Sequence, residues 1–193
     1  MAGDIGVLAL QGDVSEHIRA FESACAGIPA CRESEVVPVR SRGDLEGLAA
    51  LAIPGGESTT ISRLIGQDEL RDAIATFPGG VFATCAGMVL AAAEVDDDRV
   101  RPLGLFDMAV QRNAFGRQRE SFEAEIAISG LDQPFPAVFI RAPVAVRTWG
   151  RAAVLGRLGD RIVAVRQGPH MAVAFHPELT TDTRLHHLFL SGL

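Results

Sequence analysis

Short apolar runs alternate with helix-patterned stretches through the first half of the chain, and that alternation limits the fold more than any other feature. Residues 5–10 form a buried-strand run, followed over 14–26 by a helix with Ile18, Phe21 and Cys25 on one face. Residues 35–39 and 48–53 read as the next strands, the second stopping at Pro54-Gly55-Gly56. Ser58 is placed to cap a helix through Leu64, and residues 68–77 give a further helical stretch. Residues 80–83 are a short strand that runs straight into a helix-like segment, 86–94. Strand then helix, repeated, predicts a three-layer α/β fold, a mostly parallel sheet with helices on both faces.

The second half has a different rhythm. Residues 109–112, 121–128, 137–140, 144–149, 152–158 and 161–165 are β-rich with short connections, and Gly159-Asp160 is a hairpin signal. These strands are expected to be antiparallel additions to the edge of the parallel sheet. Residues 171–175 return as a core strand and 181–190 close as a helix. No repeat, low-complexity tract or linker interrupts the 193 residues, so 1–193 is expected to be a single domain. Asp96-Asp97-Asp98 reads as a solvated acidic loop.

Composition narrows the function classes. Hydrophobic residues make up 48% and charged residues 22%, a globular balance rather than a disordered one. A net charge of -6 argues against nucleic acid or an anionic membrane surface as partner. All 18 positive residues are arginine, which excludes a Walker A lysine and lysine Schiff-base chemistry. Three cysteines suit a reducing compartment, and their spacing makes no zinc site. Neither a signal peptide nor an apolar run of the ~20 residues a membrane helix needs is visible, so a cytoplasmic location without bound metal or cofactor is expected.

Chemistry concentrates after the strands. Cys85 lies in Ala83-Thr84-Cys85-Ala86-Gly87, between a strand and a helix. A nucleophile on such a turn needs small neighbours two residues either side, and Ala83 and Gly87 supply them. The helix start adds N–H donors and partial positive charge, which favour a thiolate and can hold an oxyanion. A buried inert thiol is the competing account. His176-Pro177-Glu178 follows the last core strand, and in an extended segment His176 and Glu178 share a side, so the carboxylate can orient the imidazole. Both segments follow parallel strands, whose carboxyl ends carry sites. His17, His170, His186 and His187 read as structural. Pro54-Gly55-Gly56-Glu57-Ser58-Thr59-Thr60 can approach a ligand closely through its glycines, although a tight turn capped by Ser58 is the simpler account. Arg141 could clamp a carboxylate or form a surface ion pair.

Gly6-Val7-Leu8-Ala9-Leu10-Gln11-Gly12, the Pro54–Thr60 run, Thr84-Cys85-Ala86-Gly87, Arg112-Asn113-Ala114-Phe115-Gly116-Arg117-Gln118, Phe139-Ile140-Arg141-Ala142-Pro143 and His176-Pro177-Glu178-Leu179 occur in that order. Together they resemble the glutaminase subunits of two-component pyridoxal 5'-phosphate synthases, within the class I (triad) glutamine amidotransferases. The fold that this implies is flavodoxin-like. The resemblance implies hydrolysis of L-glutamine to glutamate and ammonia, with Cys85 as nucleophile, His176 as general base and acid, and Glu178 as orienting carboxylate. It further implies glutamine contacts from Gly56, Glu57, Ser58, Arg112, Ile140 and Arg141, an oxyanion hole from Ala86 and the Gly55-Gly56 loop (Gly56), and a place for Gln11 at the interface that activates the enzyme. The implied partner is a synthase subunit in a large hetero-oligomer, to which ammonia is channelled. Two departures are Ala83 where glycine is usual and Ala114 where serine is common. The alternatives are a glutaminase serving another synthase, a free-standing thiol hydrolase, and a non-catalytic glutamine-binding regulatory subunit.

Overall fold

The structure, a computed structural model, describes residues 3–67, 69–115 and 121–193. Asp68, where a helix was expected to start, and Gly116, Arg117 and Gln118 of the polar run lie outside the described residues. The first half runs β1 (Asp4–Leu8), α1 (Val14–Ala26), β2 (Val36–Val39), β3 (Leu48–Ile53), α2 (Ser58–Ile65), α3 (Leu70–Ala75), β4 (Gly80–Thr84) and α4 (Ala86–Ala91). The second half adds β5 (Ala92–Val95), β6 (Phe106–Gln111), β7 (Ser121–Ile126), β8 (Phe135–Ile140), β9 (Val144–Thr148), β10 (Ala153–Leu158), β11 (Arg161–Gln167), β12 (His170–Val173) and α5 (Arg184–Leu190).

A 10-stranded sheet has the order β2-β1-β3-β4-β12-β11-β9-β6-β5, with β10 paired to β11. From β2 to β12 every pairing is parallel. The chain leaves β1 toward β2 through α1, and leaves β3 toward β4 through α2 and α3. Right-handed crossovers in opposite directions put those helices on opposite faces. On one face Phe21 of α1 and Phe189 of α5 converge on Phe82 of β4, with ring centroids 5.6 and 5.2 Å from it. On the other face α4 packs against α2, and every residue of α4 is buried. The direction of travel reverses between β1 and β3, the place where open α/β sheets form a ligand crevice at their strand carboxyl ends.

Antiparallel β11, β9 and β6 extend the sheet beyond β12, as expected. Three features differ from the sequence expectations. The helix expected over 86–94 ends at Ala91, and Ala92–Val95 is instead β5, held parallel to β6. A short apolar run has no period that separates a buried strand from a buried helix, and only the partner strand decides it. Strands β7 and β8 leave the main sheet as a separate two-stranded ribbon, in which Phe122 and Phe139 stack at 4.8 Å. The helix expected over 68–77 narrows to Leu70–Ala75. The Gly159-Asp160 turn joins β10 to β11 with Leu158 opposite Arg161. Among the described residues, no helix is long and apolar enough to cross a membrane.

Candidate active site

Cys85 occupies the turn between β4 and α4 with φ 48° and ψ -106°, a backbone conformation that L-residues rarely adopt. The turn is held from both sides. Cys85 N–H donates to the Val173 carbonyl at 2.8 Å, and its carbonyl accepts from Val89 N–H at 3.3 Å. Ala83 lies in register between Ile53 of β3 and Ala172 of β12, fully buried, so a methyl group fits where the resemblance would place glycine. Gly87 has no such latitude. A Cβ there would meet the Ile53 carbonyl oxygen at 2.0 Å, and glycine lets α4 lie against β3. The thiol points toward the Ile140 carbonyl, 3.8 Å from Sγ.

His176 follows β12 and donates its backbone N–H to Val138 at 2.8 Å, which ties the β7–β8 ribbon to the site. Its Nδ1 lies 2.7 Å from Glu178 Oε1 and 3.3 Å from Asp13 Oδ2. Burial opposes a charged imidazole, but hydrogen bonding with Asp13, Cys85 and Glu178 outweighs it and pushes His176 up to about 12. The same hydrogen bond holds Asp13 below the usual carboxylate range. The hydrogen-bonded carboxylates on the Nδ1 side thus favour the charged form of the His176 ring. The donor atoms of Asp13, His176 and Glu178 lie within 4.8 Å of one another, a spacing that could hold a metal ion. The His176–Glu178 hydrogen bond, with Asp13 beside it, already accounts for the cluster.

The glycine loop is more tightly specified than a turn requires. A Cβ on Gly55 would strike His176 Cε1 at 2.4 Å, and one on Gly56, whose φ is 151°, would strike Gln11 Oε1 at 2.6 Å. The Gly55 carbonyl accepts from Asp13 N–H at 3.3 Å, and Gln11 Oε1 accepts from Glu57 N–H at 2.8 Å, so the Gln11–Asp13 segment fixes the loop. The helix cap is Glu57, not Ser58. Its carboxylate accepts from Thr59 N–H at 3.2 Å and Thr60 N–H at 2.7 Å, and Ser58 is the first helical residue. Burial works against the charge, but these hydrogen bonds pull the Glu57 carboxyl down to about 2. Arg112 spans Glu57, at 3.2 Å, and Asp97. Asp96 accepts from Arg112 N–H at 3.0 Å, so the acidic run is not a merely solvated loop; it anchors the arginine.

A cavity of about 320 Å³ collects these groups. Gln11, Gly56, Glu57, Ser58, Cys85, Ala86, Arg112, Ile140, Arg141 and His176 all line it, with Asp13 and Asn113. Glu178 stands behind His176, its side chain inaccessible. Arg141 has φ 43°, lines the cavity and, among the described residues, forms no ion pair. Ala86 opens α4, so its N–H has no helical acceptor. Sequence reasoning missed Asp13, Thr84 and His17. Thr84 Oγ1 accepts from Gly55 N–H at 3.1 Å and lies 2.9 Å from His17 Nε2. The signal was a histidine four residues before Phe21, on the stripe of α1 that faces the core.

A thiol on a strained strand-to-helix turn, an imidazolium, a buried carboxylate and convergent N–H donors form a set suited to acyl transfer. Comparison with known proteins agrees. A family model described as SNO glutamine amidotransferase matches residues 7–193. The pyridoxal 5'-phosphate synthase subunit PdxT of Methanosphaerula palustris is 60% identical over 189 residues, which cover 98% of this chain and 96% of that protein. The PdxT subunit of Halorubrum lacusprofundi is 51% identical, with 95% and 93% covered. A crystal structure of a glutamine amidotransferase superposes with a TM-score of 0.87 at 46% identity, covering 98% of both chains. PurLQS from Thermotoga maritima, 14% identical with a TM-score of 0.64 over 99% of both chains, shares the fold. With matches of this extent, the chain belongs to the SNO glutamine amidotransferase family.

Proposed function

We propose that residues 1–193 form one glutaminase domain that hydrolyses L-glutamine and passes the ammonia to a pyridoxal 5'-phosphate synthase partner. The observation that carries this reading is the placement of Cys85, on its strained turn, in one cavity with a His176 ring whose Nδ1 lies 2.7 Å from the buried Glu178 carboxylate. The relatives at 50–60% identity, all synthase subunits by name, support the partner.

In this reading the Cys85 thiolate attacks the carbon of the side-chain amide. The oxyanion is held by Ala86 N–H and Gly56 N–H, each such donor contributing about 3 kcal/mol. Collapse of the tetrahedral intermediate breaks the C–N bond, and the His176 proton leaves with ammonia. The γ-glutamyl thioester is then attacked by a water that gives its proton to His176, and Cys85 departs as thiolate. Glu178 holds the imidazole through Nδ1 during both transfers. Arg141 supplies positive charge for the α-carboxylate of glutamine, while Glu57, Ser58, Arg112 and the Ile140 backbone shape the rest of its pocket. Gln11, bonded to the backbone of Glu57, couples the pocket to a surface where the synthase docks in a larger assembly.

The test is glutamate release from L-glutamine with and without the synthase subunit, using Cys85→Ala as the blank. Release that depends on Cys85 and rises with the partner supports the proposal; release by Cys85→Ala at the wild-type rate rejects it.

A further inference from the structure

The polar layer beneath the triad contains a histidine without an assigned role. His17 is fully buried on α1, and its Nε2 is 2.9 Å from Thr84 Oγ1 and 3.4 Å from Glu178 Oε2. Glu178 Oε1 is engaged by His176, whereas Oε2 has no hydrogen-bond partner within ordinary distance. We propose that His17 is a positioning residue, a neutral Nε2–H donor that fixes the second oxygen of Glu178 and thereby the orientation of His176. The role rests on the glutaminase reading given above.

Three observations support the assignment. The first is chemical: a bare Nε2 lone pair facing a carboxylate oxygen would be repelled, so the proton belongs on Nε2, where it faces Thr84 Oγ1 and Glu178 Oε2 together. Nδ1 is then the lone-pair nitrogen, and it has no partner among the described residues. The second is electrostatic. Burial pushes His17 down, against the attraction of Glu178, Asp13 and Glu16, and His176 also opposes its protonation. A neutral ring holds Glu178 by its dipole without adding a second cation that would compete with His176 for the same carboxylate. The third is connectivity. Thr84 Oγ1 also accepts from Gly55 N–H, so one buried chain joins the glycine loop to the triad carboxylate through His17.

The test uses the complex with the synthase subunit and measures kcat and KM of glutamate release separately, across pH. Gln places an amide N–H near the position of Nε2, whereas Asn reaches only as far as Nδ1. His17→Leu is expected to lower kcat about 10- to 100-fold, as a displaced catalytic group does, with KM changed less than about 2-fold. Its alkaline fall in kcat should move to lower pH, because a loosened Glu178 holds the imidazolium less well. His17→Gln should recover most of the rate and the pH profile, and His17→Asn should not. Equal activity of the Gln and Asn variants overturns the proposal even where His17→Leu fails to fold, and so does a wild-type profile in His17→Leu. An inactive wild-type complex would instead overturn the glutaminase reading, so the two failures are distinct.

Discussion

Gly87→Ala is the sharpest test of how the site is built, because a single methyl group meets backbone on a neighbouring strand. The new Cβ would lie 2.0 Å from the Ile53 carbonyl oxygen and 2.9 Å from its carbon. A carbon–oxygen contact settles at about 3.3 Å, so α4 and β3 must separate by roughly 1.3 Å. The Ile53 carbonyl is backbone of a strand that lies between β1 and β4, with Ile53 in register with Ala83, and cannot swing aside as a side chain would. Overpacking of this kind costs about 1–3 kcal/mol. For a chain of this size that corresponds to a fall in Tm of about 2–12 °C. The larger effect falls on activity. Cys85 immediately precedes α4, and a shift of ~1 Å in a reacting group can cost about 100-fold. Glutamate release and thermal unfolding should therefore both be followed for Gly87→Ala, with Gly43→Ala as the control. A Cβ at Gly43 meets only Ser41 Oγ at 3.9 Å, and that variant should behave as wild type. A Gly87→Ala protein with unchanged Tm and unchanged kcat would refute the argument.

Other perturbations have defined outcomes. Asp13→Asn removes a carboxylate 3.3 Å from His176 Nδ1. Its side chain is 39% exposed, so screening limits the loss to about 1–2 kcal/mol, or about one pKa unit. Losing a negative charge disfavours the imidazolium, so the alkaline fall in kcat/KM should move about one unit lower; an unmoved limb rejects the contact. Glu57→Ala removes the α2 cap and one support of Arg112, and should cost about 1 kcal/mol at neutral pH with a raised KM. The folded carboxyl sits at about 2, below its unfolded value near 4.3, so the wild-type advantage is present above about pH 4.3 and disappears as pH falls toward 2. Denaturation midpoints of the two proteins that stay apart at pH 2 would contradict this. Cys85→Ala should lose glutamate release while calorimetry still detects glutamine binding; loss of both would move Cys85 from chemistry to structure.

The strand–helix alternation made the parallel half legible, because three of the four apolar runs there, 5–10, 48–53 and 80–83, led into a helical period. The Cys85 turn and the His176-Pro177-Glu178 segment were legible for a related reason: both chemistries demand particular neighbours at fixed offsets. What was hidden depends on distance rather than order. Ala92–Val95 is a strand only because β6 lies beside it. Glu57 displaced Ser58 as the cap because its longer side chain reaches two N–H groups at once. Asp13 and His17 sit four residues apart at the start of α1; the core-facing stripe marks His17 as buried, but nothing local marks the part that either residue takes in the site. Their meaning arises when β12 delivers His176 and Glu178 over that helix end.

The position of β12 has a consequence for how the protein comes into being. This strand lies between β4 and β11, at the centre of the sheet, yet it is assembled from residues 170–173 of 193. The Cys85 turn borrows its hydrogen-bond acceptor from Val173, the last residue of that strand. A chain emerging from the ribosome therefore carries its cysteine for many residues with neither the turn clamped nor the imidazole in place. Long-range pairings of this kind close late. Until the centre of the sheet is filled, the Cys85 turn lacks its Val173 acceptor and His176 has not been delivered to the cavity, so the candidate site is completed only when the last core strand docks.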